Sequence, residues 1–285
     1  MKANTLLIFL FIITLSFCTY PIAVFHGILE SCDMPNTSKL VNDLKNDLGV
    51  HVECIEIGNG FLDTIMKNMT SQVKEACEKI NSNPNFQSKF NILGLSQGTL
   101  IGRYLIEKCQ MKGQVMRYMS IDGPQMGIGS IPKITCGTFC DFLVNITVPI
   151  FYGLSGRIAP ADYFRFKYDQ QYYMENNIFL KMLNNENEEK DEEIKKRFSS
   201  LEKVKLIKNN NDTTIVPRES SWFESYDFEG HNIIPLKESD FYIKDYIGLR
   251  KLDEEGKVTF ATFRGEHILY NIVEYWEEII PFFED

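Results

Sequence analysis

The chain has 285 residues, 44% of them apolar and 24% charged, with a formal net charge of −9. Those proportions exclude a disordered chain and supply enough apolar mass to bury the core of one large domain. The acidic balance also argues against a nucleic-acid partner, which would require basic side chains to meet phosphates.

In chain order, the first segment carries Lys2, the apolar run Leu6 to Phe17, and Ser16 and Cys18 as small residues ahead of Pro21. This reads as a secretory signal peptide over residues 1–18. The run is shorter than the roughly 20 apolar residues that span a bilayer, and no later segment approaches that length, so no transmembrane segment is expected after cleavage. Pro21 to Phe25 is a strand candidate ending in His26-Gly27, and Val50 to Ile57 is a second. Ile65, Met69, Val73, Ala76 and Ile80 then fall at helical spacing. The apolar run Phe90 to Leu93 leads into Gly94-Leu95-Ser96-Gln97-Gly98 and a helix-like stretch from Thr99 to Cys109. Val115 to Ile121 is another strand, followed by a glycine-rich turn from Gly123 to Gly129.

From about residue 124 to 200 the alternation gives way to aromatic and charged stretches, read as an inserted, mainly helical region over the sheet edge. Its aromatics, Tyr163 to Phe179, are assigned to core packing, and Glu186 to Lys196 to a solvated face. Regular order returns with strands Val204 to Lys208 and Val258 to Phe263 and a terminal helix Leu269 to Ile280. Strand-helix alternation predicts one α/β domain over residues 19–285, a mostly parallel sheet with helices on both faces and ligands at the carboxyl ends of the strands.

A strand turning sharply into a helix through Gly-x-Ser-x-Gly exposes the serine hydroxyl for attack on a carbonyl carbon, the nucleophile elbow of the α/β-hydrolase fold. A serine hydroxyl needs a histidine to take its proton and a carboxylate to orient that histidine. In this fold the order is serine, acid, histidine. His267, in Arg264-Gly265-Glu266-His267 between the last strand and the last helix, fits best as base. His231 lies in an irregular stretch, His51 inside a strand candidate and His26 in the loop after the first strand. Asp212 follows the Val204 strand in an Asn-rich turn and is the candidate acid, while Asp240, Asp245 and Asp253 lack a preceding strand. Backbone N–H groups of Gln97 and of Ile28, beside Gly27, are the candidate oxyanion donors.

Setting Cys18 aside leaves Cys32, Cys54, Cys77, Cys109, Cys136 and Cys140, an even set that suggests disulfides in an exported chain. Sequence alone leaves their connectivity open. Asn36, Asn68, Asn145 and Asn211 head N-x-S/T sequons and are candidate glycan acceptors. No Cys-x-x-Cys or His-x-x-x-His spacing points to a metal, and no dinucleotide or phosphate-loop pattern to an organic cofactor.

Taken together, Phe25-His26-Gly27, Ile55-Glu56-Ile57-Gly58, Gly94-Leu95-Ser96-Gln97-Gly98, Asn211-Asp212-Thr213-Thr214, Ser221-Trp222-Phe223, Tyr246-Ile247-Gly248-Leu249 and Glu266-His267 make the chain resemble the palmitoyl-protein thioesterases, lysosomal enzymes that remove fatty acyl groups from protein cysteines. The resemblance runs from Pro21 to the C-terminus. It implies Ser96, Asp212 and His267 as triad, oxyanion donors at Ile28 and Gln97, and S-acylated proteins or peptides and long-chain acyl thioesters as substrates. It also implies a lysosome-like or secreted location, and the pairings Cys77–Cys109 and Cys136–Cys140. Where the family has two adjacent cysteines in the first loop, this chain has Cys32 followed by Asp33, and a Cys32–Cys54 pairing is the hypothesis taken for it. Ile28-Leu29-Glu30 replaces a less bulky, glycine-containing pattern. A lipase or esterase acting on oxygen esters, and a lipid-binding relative without activity, are the alternatives. The oligomeric state is not legible.

Overall fold

The structure, a computed structural model, describes residues 19–129 and 153–284; the leader, Cys136, Cys140 and Asn145 lie outside them. Ile22–Phe25 (β1), Val52–Cys54 (β2), Lys89–Leu95 (β3), Gln114–Ile121 (β4), Lys203–Asn209 (β5) and Val258–Phe263 (β6) form one sheet in the order β2-β1-β3-β4-β5-β6, and every adjacent pair is parallel. β1, β3, β4 and β5 are buried almost end to end, as a parallel sheet covered on both faces requires.

The two-residue period of a strand divides the core into two layers. Ile22 and Val24 pack with Leu40, Leu44, Met119 and Tyr275, whereas Ala23 and Phe25 pack with Val73, Leu100 and Tyr118. Pro35–Leu48 (α1) starts on a proline suited to a first helical turn, buries Leu40 and Leu44, and stops at Gly49, whose φ of 64° few other residues adopt without strain. Met69–Ser82 (α2) is capped by Asn68, which accepts the Ser71 N–H, and buries the stripe Met69, Val73, Ala76 and Ile80. Gln97–Glu107 (α3) is buried on every side except at Tyr104.

Three expectations are revised. The strand anticipated over Val50 to Ile57 shrinks to Val52–Cys54, because β1, its one partner strand among the described residues, ends at Phe25; after Ile55 donates to the Val24 carbonyl the ladder has run out. The last helix begins at Ile272, three residues late, because Asn271 and Glu274 form a capping box; it reaches Glu284 through a π turn at Tyr275–Ile279. Glu186, assigned to a solvated face, has its side chain largely covered instead, accepting from Arg165 at 3.0 Å and from the Tyr173 hydroxyl at 2.6 Å.

Between β4 and β5 the described residues form short helices, Ala159–Asp162, Gln170–Asn176, Phe179–Leu183 and Glu192–Phe198. Tyr163, Phe164, Phe166, Tyr173 and Phe179 join the core cluster of the sheet, while Tyr168 stays exposed. The fully buried Arg103 ties this region to α3, donating to the Asn184 side chain and the Leu183 carbonyl.

From β1 the chain runs to β2 on one side, then crosses to β3 and continues outward through β4, β5 and β6. The neighbours β1 and β3 therefore bracket the point where winding reverses, and the crevice at their carboxyl ends is where such sheets take ligands.

Candidate active site

Ser96 stands at that crevice, between β3 and α3. Its backbone has φ 49° and ψ −122°, a conformation that costs a non-glycine residue about 1–3 kcal/mol and is held only by its surroundings. Its N–H donates to the Ile121 carbonyl at 2.9 Å, and its carbonyl accepts from the N–H and the hydroxyl of Thr99. The turn closes because Gly94 and Gly98 lack side chains: a Cβ on Gly98 would lie 2.2 Å from the Phe25 carbonyl oxygen, and one on Gly94 2.5 Å from Thr99 Cα.

His267 reaches Ser96 from the loop after β6, with Nε2 2.9 Å from the Ser96 Oγ and Nδ1 2.7 Å from the Asp212 Oδ2. A carboxylate can only accept, so Nδ1 carries the proton and the Nε2 lone pair faces the hydroxyl. Asp212 lies in the turn after β5. Its other oxygen accepts the N–H groups of Thr214 and Ile215 at 2.7 and 3.0 Å, which leaves Oδ2 to the histidine. The two loops are stitched together by Asn210 N–H to the Phe263 carbonyl and Asn211 N–H to the Gly265 carbonyl. The Asp212 carboxylate is buried and the His267 ring is 18% exposed, so the relay is shielded at its acid and reachable at its base.

The loop after β1 closes against the serine. A Cβ on Gly27 would lie 3.2 Å from the Ser96 Cβ. Gly27 N–H is taken by Glu30 Oε2 at 2.9 Å and Leu29 N–H by the Thr64 hydroxyl at 2.8 Å. The N–H groups of Ile28 and Gln97 find no acceptor among the described residues. The Gln97 side chain braces the corner, donating to the Thr64 carbonyl and Gln72 Oε1 and accepting from the Tyr163 hydroxyl.

The remaining histidines lie elsewhere. His26 is buried beneath the β1 loop, its Nε2 accepting from Ile57 N–H and its Nδ1 donating to the Gly27 carbonyl. His51 packs on Phe86 and pairs with Glu53, and His231 is exposed in the turn between the paired segments Ser225–Tyr226 and Ile233–Ile234. Asp240 pairs with Lys244, Asp245 with Lys195, and Asp253 with Lys237. Disulfides join Cys32 to Cys54 and Cys77 to Cys109. Of the sequon asparagines, Asn36 and Asn211 are exposed, and the Asn211 and Asn68 amides are donated to the Arg264 and Gly156 carbonyls at 3.2 and 2.5 Å.

Asp122, which directly follows β4, escaped sequence reasoning. It is fully buried, and its carboxylate accepts from Asn209 and from Ile268 N–H. The available signal was an acid placed immediately after the strand candidate Val115 to Ile121 and before a glycine, at the carboxyl edge of a parallel sheet.

The family model described as palmitoyl protein thioesterase matches residues 21–267. Palmitoyl-protein thioesterase 3 of Dictyostelium discoideum is 31% identical over 275 residues, covering 96% of this chain and 93% of its own length. Palmitoyl-protein thioesterase 1 of Caenorhabditis elegans is 29% identical over 259 residues, covering 87% and 86%. A solved Pyrococcus furiosus esterase superposes with a TM-score of 0.50 at 11% identity, covering 94% of this chain and 83% of its own. That likeness speaks to the fold, which is that of the α/β-hydrolases. With a family match running from β1 to the histidine after β6, the chain belongs to the palmitoyl protein thioesterase family.

Proposed function

We propose that this chain hydrolyses the thioester between a long-chain fatty acyl group and a protein cysteine, with Ser96 as nucleophile, His267 as general base and Asp212 as the acid that orients it. The observation that carries the reading is the continuous relay from the Asp212 Oδ2 through His267 to the Ser96 Oγ, at 2.7 and 2.9 Å. His267 takes the hydroxyl proton as Oγ attacks the thioester carbonyl. The developing oxyanion is met by the unengaged N–H groups of Ile28 and Gln97, a contribution worth about 10²-fold or more per donor in comparable sites. The cysteine thiol leaves with the proton from His267; water activated by the same nitrogen then releases the fatty acid from the acyl-serine.

Family membership supports the thioester as substrate, and the surface around the serine supports an acyl chain. Exposed Leu29 stands on the loop after β1, and exposed Phe61, Leu62 and Met66 on and just before the short helix Asp63–Met66, where the hydroxyl and carbonyl of Thr64 bind Leu29 and Gln97. Such a rim lets an aliphatic chain leave water beside the reacting carbonyl. The disulfides and exposed sequons at Asn36 and Asn211 support residence in the secretory pathway, in a lysosome-like compartment or outside the cell.

The test is hydrolysis of an S-palmitoylated peptide beside its oxygen-ester analogue by the purified protein and by Ser96→Ala. Preference for the thioester that vanishes in the variant is expected. Preference for the oxygen ester would make the chain a lipase or esterase, and acyl binding without turnover would make it a lipid-binding relative.

A further inference from the structure

His267 faces two carboxylates. Asp212 approaches Nδ1 to 2.7 Å from the end of β5, and Asp122 Oδ2 lies 3.8 Å from the same nitrogen, from the end of β4. Asp122 is completely buried on a left-handed backbone, φ 48°. Both features are unfavourable for an aspartate by themselves. Three donors hold it: Asn209 N–H at 2.7 Å, the Asn209 amide at 2.6 Å and Ile268 N–H at 2.6 Å. Asn209 ends the strand that leads to Asp212, and Ile268 follows the histidine, so one carboxylate grips both loops of the relay. Asn209 Oδ1 adds a bond to Gly265 N–H in the His267 loop.

We propose that Asp122 is a second positioning carboxylate for the base, holding the Asp212 and His267 turns in register and placing a second negative charge beside the imidazolium formed when Ser96 gives up its proton. The inference rests on the roles assigned to Ser96, His267 and Asp212 above. Among the described residues, the charged and titratable groups facing this point are Asp212 from β5, His267 from β6, Ser96 from β3, and Glu30, which reaches Gly27 beside Ser96 from the β1 loop. No lysine or arginine among the described residues pairs with either aspartate there. Burial and the neighbouring Asp212 push the Asp122 carboxyl up, against the pull of Asn209, so its charge is surrendered earlier on acidification than that of an ordinary aspartate. With two anions at Nδ1, loss of one leaves the other within reach of the imidazole by a small ring rotation.

The experiment measures the rate of Ser96 modification by a fluorophosphonate, which depends on the base and not on the substrate class, across acid to neutral pH. The full chain is compared with Asp122→Asn, Asp212→Asn, the double variant and Asn209→Ala, each checked by thermal melting. Removing an anion lowers the pKa of an imidazolium, so Asp122→Asn is expected to move the acid limb of the profile down by about one pH unit. Asn209→Ala, which loosens the grip and keeps the charge, should slow labelling without moving that limb. Loss of the acid from a triad with one carboxylate costs about 10⁴-fold; here Asp212→Asn should lose about 10²-fold and the double variant should restore the full loss. An unmoved acid limb in Asp122→Asn, or Asp212→Asn as slow as the double variant, overturns the proposal. Should Asp122→Asn fold poorly, Asp212→Asn decides, since a loss of about 10⁴-fold with Asp122 intact leaves it no role. Absence of labelling in the unaltered protein would instead overturn the serine-hydrolase reading, and this inference with it.

Discussion

The two ends of α3 make different use of buried charge. At its start, Ser96 is strained and the relay behind it ends in a partly exposed imidazole; each carboxylate there receives backbone or amide donors on both oxygens or faces the histidine. Toward its other end, Arg103 and Glu107 are sealed from solvent. Arg103 donates to Glu107 at 2.9 Å, to the side chains of Gln125 and Asn184 and to the Leu183 carbonyl, and lies over the Phe223 ring at 4.9 Å. Glu107 keeps one oxygen without a hydrogen-bond partner, and the Cys77–Cys109 bridge fastens the same end to α2. Both ends bury carboxylates; at the Ser96 end their oxygens are hydrogen-bonded or face the histidine, whose ring is 18% exposed, whereas at the other end a Glu107 oxygen is left without a partner.

That contrast can be broken at either end. Ser96→Ala should cut turnover by about 10⁴-fold or more while leaving the melting temperature nearly unchanged, which steady-state rates and calorimetry check together. Arg103→Leu should do the reverse, destabilising the fold by about 3–5 kcal/mol in denaturant titrations because Glu107 is left buried without its partner. Burial, only partly offset by Arg103, pushes the Glu107 carboxyl up to about 7 from 4.5. Because the folded-state value lies above the unfolded one, the group is least costly when protonated, and its cost grows as pH rises from about 4.5 to about 7. Stability of the unaltered protein relative to Glu107→Gln should therefore fall through that window by about 2–3 kcal/mol, read from denaturant midpoints at each pH. The smallest effect is Ser96→Gly, expected to be about 1 kcal/mol more stable than Ser96→Ala, since glycine accepts the elbow backbone without strain. Equal stability of the two would mean that the elbow is not the strained end.

Much of this was legible in the chain. The stripe Met69, Val73, Ala76 and Ile80, the strand segments of β3, β4 and β5, and the glycines flanking Ser96 each carry a local pattern that burial or close approach demands. Chain order then singled out Asp212 and His267, which the structure brings into contact with each other and with Ser96. Asp122 left only its position after a strand candidate, and that trace is easily overlooked because an aspartate before a glycine usually signals a turn. Glu186 was misread for a related reason: a charged run looks solvated until a partner from elsewhere, here Arg165, comes into reach.

By itself, then, the sequence determined the alternation of strands and helices, the elbow, and which serine, aspartate and histidine could meet, since these follow from periodicity, backbone permissiveness and the order of loops along one edge of a parallel sheet. Only the tertiary structure decided that Asp122 joins them, that Ile28 and Gln97 keep their N–H groups free of acceptors among the described residues, and that Arg103 anchors α3 from within. Each of these depends on groups distant in the chain sharing a few ångströms of space, and the cost or gain of a buried polar group is set by those neighbours rather than by its own identity.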